Sequence, residues 1–177
     1  MAVDNIDPYT NPLKTLVAKL KPKVVLEVGI GEEGYSTAVW LNSGAMVTSI
    51  DKNDIKGAGI RLQQEYKVTF AFIREDSKTA LPQMDEHFDL IFIDGDHRYE
   101  GCRSDIANAQ RLLTKQGVIV VDDYGVESGV VDVDTGGNLI YGDYGVKQAA
   151  DELFVGKWKR MYTDIPFANG ARAYARK

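Results

Sequence analysis

Short apolar runs alternate along the chain with stretches in which apolar side chains recur every three or four positions. That alternation predicts an α/β fold, with helices covering a mainly parallel sheet. Leu13, Leu16, Val17 and Leu20 follow Asn11-Pro12 at helical spacing, so a helix is predicted there, capped by Asn11 with Pro12 in its first position. A strand at 24–28 leads into a glycine loop and a helix carrying Thr37, Ala38, Val39, Trp40 and Leu41. Further strands are predicted near 45–50, 68–73, 88–93 and 118–121, and the near-continuous apolar run at 88–93 suits a strand covered on both faces. A helix near 99–113 is predicted to close at Lys115-Gln116-Gly117, with the glycine in the left-handed conformation. A helix at 146–154 and two short strands near 158–162 and 172–175 complete the chain, with Asn169-Gly170 as a hairpin signal.

A chain of 177 residues, 44% hydrophobic and 27% charged, fits one folded domain spanning 1–177 and ordered beyond its first few residues. The net charge of −5 argues against a broad phosphate-tracking surface, so no nucleic-acid partner is expected and a small molecule is favoured. Lys157, Lys159, Arg160, Arg172, Arg176 and Lys177 cluster near the C-terminal end and read as a solvated strand edge. Cys102 stands alone, which fits a reducing compartment, and it reads as a packing residue. The polar opening MAVDNIDPYT has no apolar leader, so a cytoplasmic location without membrane association is expected, and a homo-oligomer stays open.

The chemistry gathers at the predicted strand ends. In open α/β sheets, ligands bind beyond the carboxyl ends of the strands. Here those ends carry Glu27, Asp51, Glu75-Asp76, Asp94-Gly95-Asp96 and Asp122-Asp123. One aspartate at a loop is an ordinary turn residue; an acidic group at every strand end is harder to explain that way.

Gly29-Ile30-Gly31-Glu32-Glu33-Gly34 has the GxGxxG form associated with dinucleotides. A pyrophosphate on that turn would meet Glu32 and Glu33, and like charges about 4 Å apart cost on the order of 1 to 4 kcal/mol. S-adenosylmethionine carries a sulfonium and an ammonium and no phosphate, so the acidic surroundings suit it better. On this reading Glu27 faces the methionine end, the glycines admit the ligand to the backbone, and Asp51 accepts from the ribose hydroxyls. An NAD(P)-dependent oxidoreductase using the same loop, or a cofactor-binding module without catalysis, are the alternatives.

Glu27-x-Gly29-x-Gly31, Asp51, Asp76-Ser77 and the C-terminal strand pair resemble the class I S-adenosylmethionine-dependent methyltransferases over about residues 22–177. The resemblance implies a Rossmann-like three-layer α/β/α sandwich, whose mostly parallel seven-stranded sheet has an antiparallel C-terminal hairpin strand. It also implies that Asp76 and Ser77 lie by the adenine, and Asp94 is counted with the cofactor residues. Ile93-Asp94-Gly95-Asp96 with Tyr99-Glu100, and Val120-Val121-Asp122-Asp123-Tyr124, further resemble the metal-dependent small-molecule O-methyltransferases, the sugar enzymes in particular. By that resemblance Asp94, Asp122 and Asp123 hold Mg2+, and the acceptor is a hydroxyl oxygen of a small molecule. His97 and Asp96 are the candidates for proton removal, since an imidazole titrates near neutrality. The long Gly-rich and acidic stretch 125–144 reads as a substrate lid carrying Tyr141 and Tyr144 next to Tyr124, with Asp132 and Asp134 as solvated charges.

Overall fold

A computed structural model describes residues 8–133 and 138–177. The expectations about the first seven residues and about Asp134 fall outside them.

The helices α1 (Thr10–Leu20), α2 (Tyr35–Asn42), α3 (Ala58–Glu65), α4 (Ser77–Ala80), α5 (Tyr99–Leu112) and α6 (Val146–Phe154) flank one large sheet. Its strands are β1 (Val24–Val28), β2 (Met46–Ile50), β3 (Phe70–Ile73), β4 (Phe88–Ile93), β5 (Leu113–Val121), β8 (Trp158–Met161) and β9 (Arg172–Arg176); β6 (Ser128–Val133) and β7 (Leu139–Asp143) form a separate hairpin. The seven strands run in the order β3-β2-β1-β4-β5-β9-β8. The first five pair in parallel, and β9 inserts antiparallel between β5 and β8. Strand order therefore reverses between β1 and β4, where an open α/β sheet parts to leave a crevice.

Alternate strand residues serve two cores, the period-2 consequence of pleating. Leu26, Val28, Ile91, Ile93, Ile119 and Val121 pack with α5 and α6 through Cys102, Ile106, Ala150 and Phe154. Val25, Val47, Leu90, Phe92 and Val120 face α1, α2 and α3 through Leu16, Trp40 and Leu62. The sheet is buried on both faces, which makes the three layers.

Local signals were overridden at three places. Helix α1 starts two residues earlier than expected, with Tyr9 as its cap residue and no side-chain cap; Asn11 and Pro12 lie inside the first turn, where a missing N–H costs nothing. Gly117 does not end a helix: α5 passes directly into β5, and Gly117 sits within that strand outside the left-handed region. Asn169 and Gly170 do take positive φ, but residues 162–171 all lie between β8 and β9, so they shape a longer loop rather than a two-residue hairpin. Of the basic C-terminal cluster, Lys159 and Arg160 are exposed on the edge strand β8 as expected, whereas Arg172 and Arg176 lie on β9, inside the sheet. No helix among the described residues is long and apolar enough to cross a membrane.

Candidate active site

The loop after β1 stands on a buried carboxylate. Glu27 is fully buried and accepts from Ser36 Oγ, Thr37 Oγ1, Trp40 Nε1 and Ser49 Oγ at 2.6 to 2.9 Å. Burial pushes its pKa up, against these four hydrogen bonds. Its acceptor positions are occupied by α2 and β2, so Glu27 braces the turn from below and does not face a ligand. Gly29 has φ +88°, and a Cβ there would stand 2.0 Å from the Asp94 carbonyl oxygen. This glycine is required by the approach of β1 to β4, before any ligand is considered. Gly31, at φ +69°, borders the cleft as Gly29 does, but has open space beside it.

That cleft, of about 220 Å³, lies at the crevice between β1 and β4. Its walls hold Gly29, Gly31 and Asp51 on one side, Asp76 and Ser77 beyond β3, Asp94 to His97 after β4, and Val130 to Val133 of β6. Asp51 accepts from the Ile30 and Asn53 N–H groups, one on each oxygen at 2.9 Å. A carboxylate offers about four lone-pair positions, so Asp51 keeps acceptor capacity toward the cleft. Asp76 caps α4 by accepting from the Lys78 N–H. Glu32 and Glu33 do not line the cleft; both pair with Lys56 on the outside. The charge argument therefore moves from those two residues to the cleft itself, where Asp51, Glu75, Asp76, Asp94, Asp96 and Asp132 outnumber Lys52, Lys78 and His97. Such a wall favours a cationic ligand over a pyrophosphate.

Next to it, ligand atoms of Asp94, His97 and Asp123 all lie within 4.8 Å of one another. His97 Nε2 is 3.2 Å from Asp94 Oδ1 and 3.4 Å from Asp123 Oδ2, while Nδ1 is 2.9 Å from the Val130 carbonyl. The expected trio of aspartates is corrected here. Asp122 is buried beside them, its Oδ1 accepting from the Asp123 N–H and its pKa raised by burial and by the charges of Asp94 and Asp123, and it is His97 that joins Asp94 and Asp123. Asp123 sits in the left-handed region at φ +52°, an unusual setting for a residue with a Cβ.

Neither proton-removal candidate is poised as a free base. Burial would lower the His97 pKa, but the Asp94 hydrogen bond and charge, the Val130 carbonyl and Asp123 raise it to about 9, leaving an imidazolium at neutrality. Burial would raise the Asp96 pKa, but Arg98 and Lys78 hold it below the usual carboxylate range. Arg98 grips both Asp96 oxygens at 2.8 Å.

Tyr9 and Asp105 carry no local signature for the site, and Tyr144 is expected only as part of the lid. Tyr9 Oη lies 3.4 Å from Asp94 Oδ2, and burial with the charges of Asp94 and Asp122 raises its pKa far above that of a free phenol. Tyr144 stacks on His97 at 4.6 Å between ring centroids and donates to the Val130 carbonyl. Asp105 of α5 is fully buried behind Gly95, and neither oxygen has a hydrogen-bond partner of good geometry. Burial raises its pKa to about 7, with Asp96 and Asp76 adding to the rise and the Ser77 hydroxyl and Lys78 opposing it. An unfolded aspartate titrates near ~3.9, so the folded protein holds this proton more tightly. Stability should fall as pH rises from about 4 through about 7, then level off, by an amount on the order of 2 to 4 kcal/mol. Asp105→Asn is expected to raise the melting temperature more at pH 8 than at pH 5; equal shifts at both would refute the buried charge as the cause.

The sequence profile of the family described as "Methyltransferase domain" matches residues 26–124. Among solved structures, the chain is similar to a Podospora anserina methyltransferase bound to S-adenosylhomocysteine, with 19% identity, a TM-score of 0.67, and coverage of 93% of this chain and 76% of that one. It is also similar to the 1,6-didemethyltoxoflavin-N1-methyltransferase of Burkholderia thailandensis, with 17% identity, a TM-score of 0.65, and coverage of 98% and 80%. A third is a TDP-rhamnose 3'-O-methyltransferase of calicheamicin biosynthesis, with 15% identity, a TM-score of 0.64, and coverage of 94% and 78%. No curated protein matches the chain in sequence. The matched profile covers more than half of the chain, from within β1 to just past β5, the part of the sheet that builds the cleft: the chain belongs to the class I S-adenosylmethionine-dependent methyltransferases.

Proposed function

We propose that this domain transfers a methyl group from S-adenosylmethionine to a hydroxyl oxygen of a small molecule, with a divalent metal ion held by Asp94, His97 and Asp123. The observation that carries this reading is the convergence of those three side chains beside an acidic cleft in which Asp94 belongs to both. In the cleft, Gly31 admits the cofactor to the backbone, Asp51 directs its spare lone pairs to the ribose hydroxyls, and Asp76 with Ser77 borders the adenine. Asp94 lies where the cofactor and acceptor ends meet.

The donor set fits a cation. Two carboxylates and an imidazole neutralise a divalent ion, and the Val130 carbonyl accepts from Nδ1–H, leaving Nε2 as the ligating nitrogen. To serve so, His97 gives up the proton it carries in the metal-free arrangement. An imidazole in the set suits manganese or a later first-row ion better than Mg2+, which prefers oxygen ligands. When bound, the ion supplies Lewis acidity that lowers the acceptor hydroxyl pKa, so no strong protein base is required. Asp96, clamped by Arg98, then serves as a wall of the cleft.

The N-methyl chemistry named for the Burkholderia relative is the second reading, and a metal-independent turnover would favour it. Calorimetric titration tests the cofactor assignment: S-adenosylmethionine is expected to bind at micromolar strength and NAD not to bind. Asp51→Ala should weaken the cofactor by about 1 to 3 kcal/mol, the scale of hydrogen bonds to a charged acceptor. Unchanged affinity in a folded variant would remove Asp51 from the ribose site. For the acceptor, turnover of vicinal-diol and catechol compounds with and without divalent metal tests the oxygen chemistry.

A further inference from the structure

Hairpin β6–β7 touches the rest of the protein almost entirely through β6. Every residue of β7 is exposed, and Val131 alone on β6 is buried. With so little apolar surface covered, polar contacts decide where the hairpin sits. Asp132, whose side chain is 9% exposed, reaches both sides of the cleft: Lys52 Nζ after β2 at 2.6 Å, and an Arg98 guanidinium nitrogen after β4 at 2.5 Å. Arg98 continues to Asp96, and Asp96 to Lys78 at 3.3 Å. Ion pairs thus cross the cleft without a break from Lys78 to Lys52, and Asp132 is the link supplied by the hairpin. Asn53 Nδ2 donates to the Val133 carbonyl at 2.9 Å, next to that link.

We propose that Asp132 is a positioning residue that latches β6 across the cleft and so sets how fast the cofactor product leaves. The proposal rests on the cleft being the cofactor site. It revises the expectation that Asp132 is a solvated charge, and it gives the hairpin a role toward the cofactor. A loosened latch changes the escape rate more than the encounter rate, because encounter is governed by diffusion and orientation.

Stopped-flow displacement of S-adenosylhomocysteine tests this. Asp132→Ala should release it about tenfold faster with an association rate within about threefold of wild type. Asp132→Glu should recover much of the retention. Lys52→Met should release faster than wild type, yet add little on top of Asp132→Ala, since both break one link. The latch acts equally on S-adenosylmethionine and on its uncharged-sulfur product, whereas a simple loss of negative charge would weaken the sulfonium form more. Release that is unchanged in folded Asp132→Ala, or an effect confined to S-adenosylmethionine, would overturn the latch while leaving the cleft assignment intact. Should Asp132→Ala not fold, Asp132→Asn and Lys52→Met carry the same test. Failure of wild type to bind S-adenosylhomocysteine at all would remove the cleft assignment and the latch together.

Discussion

Asp123→Ala is expected to lower methyl transfer by about a hundredfold or more, the scale of several kcal/mol of Lewis-acid stabilisation, while S-adenosylhomocysteine binds within about twofold of wild type. The separation follows from position. Asp123 is one of the three converging side chains but is not part of the cofactor cleft, whereas Asp94 and His97 belong to both. Asp94→Ala and His97→Ala should therefore lose activity and some cofactor affinity together. Excess chelator should abolish wild-type turnover, and manganese should restore it at least as well as magnesium. Undiminished turnover in chelator, or an active Asp123→Ala protein, would leave a metal-independent methyltransferase. The Asp94–His97–Asp123 contacts would then be a charge-balanced prop for the loop after β4.

The second large effect is on folding. Gly29→Val should cost about 3 to 5 kcal/mol: overpacking against a rigid neighbour is typically about 1 to 3 kcal/mol, and a β-branched residue at positive φ adds more. For a chain of this size that corresponds to a melting temperature lower by roughly 10 °C or more. Its cause is the Asp94 carbonyl oxygen, 2.0 Å from where the Cβ would stand, which is backbone at the β1–β4 junction and cannot rotate away. Gly31→Ala offers the contrast. Nothing lies within 4 Å of its Cβ, so it should fold with a loss of about 1 kcal/mol, yet bind cofactor more weakly. A Gly29→Val protein that melts within a few degrees of wild type would mean that the strand ends can separate, and would return both glycines to a role in ligand approach alone.

What the sequence determined by itself was the frame. Strands β1 and β4 and helix α6 have the bounds that their apolar patterns predict, because side-chain periodicity is a local property imposed by burial. The parallel order and the crevice followed, since strands alternating with helices admit few other arrangements. So did the collection of Asp51, Asp76 and Asp94 at one end of the sheet, because strand ends in such a sheet must share a rim. Tertiary structure alone decided which neighbours face which way. Glu27 and Asp51 are both acidic residues at strand ends, but four donors on α2 and β2 turn one into a buried brace and leave the other open to the cleft. Asp122 and Asp123 are adjacent and identical in type, yet Asp123 takes a left-handed φ and converges with Asp94 and His97, while Asp122 stays buried with its Oδ1 on the Asp123 N–H. Replacing Asp122 by His97 in the converging trio, and recruiting Asp132 from a hairpin whose sequence reads as a lid loop, depend on contacts between segments far apart in sequence. Periodicity records which side of an element is covered; it carries no information on which distant polar group arrives there, because that is set by how the elements pack.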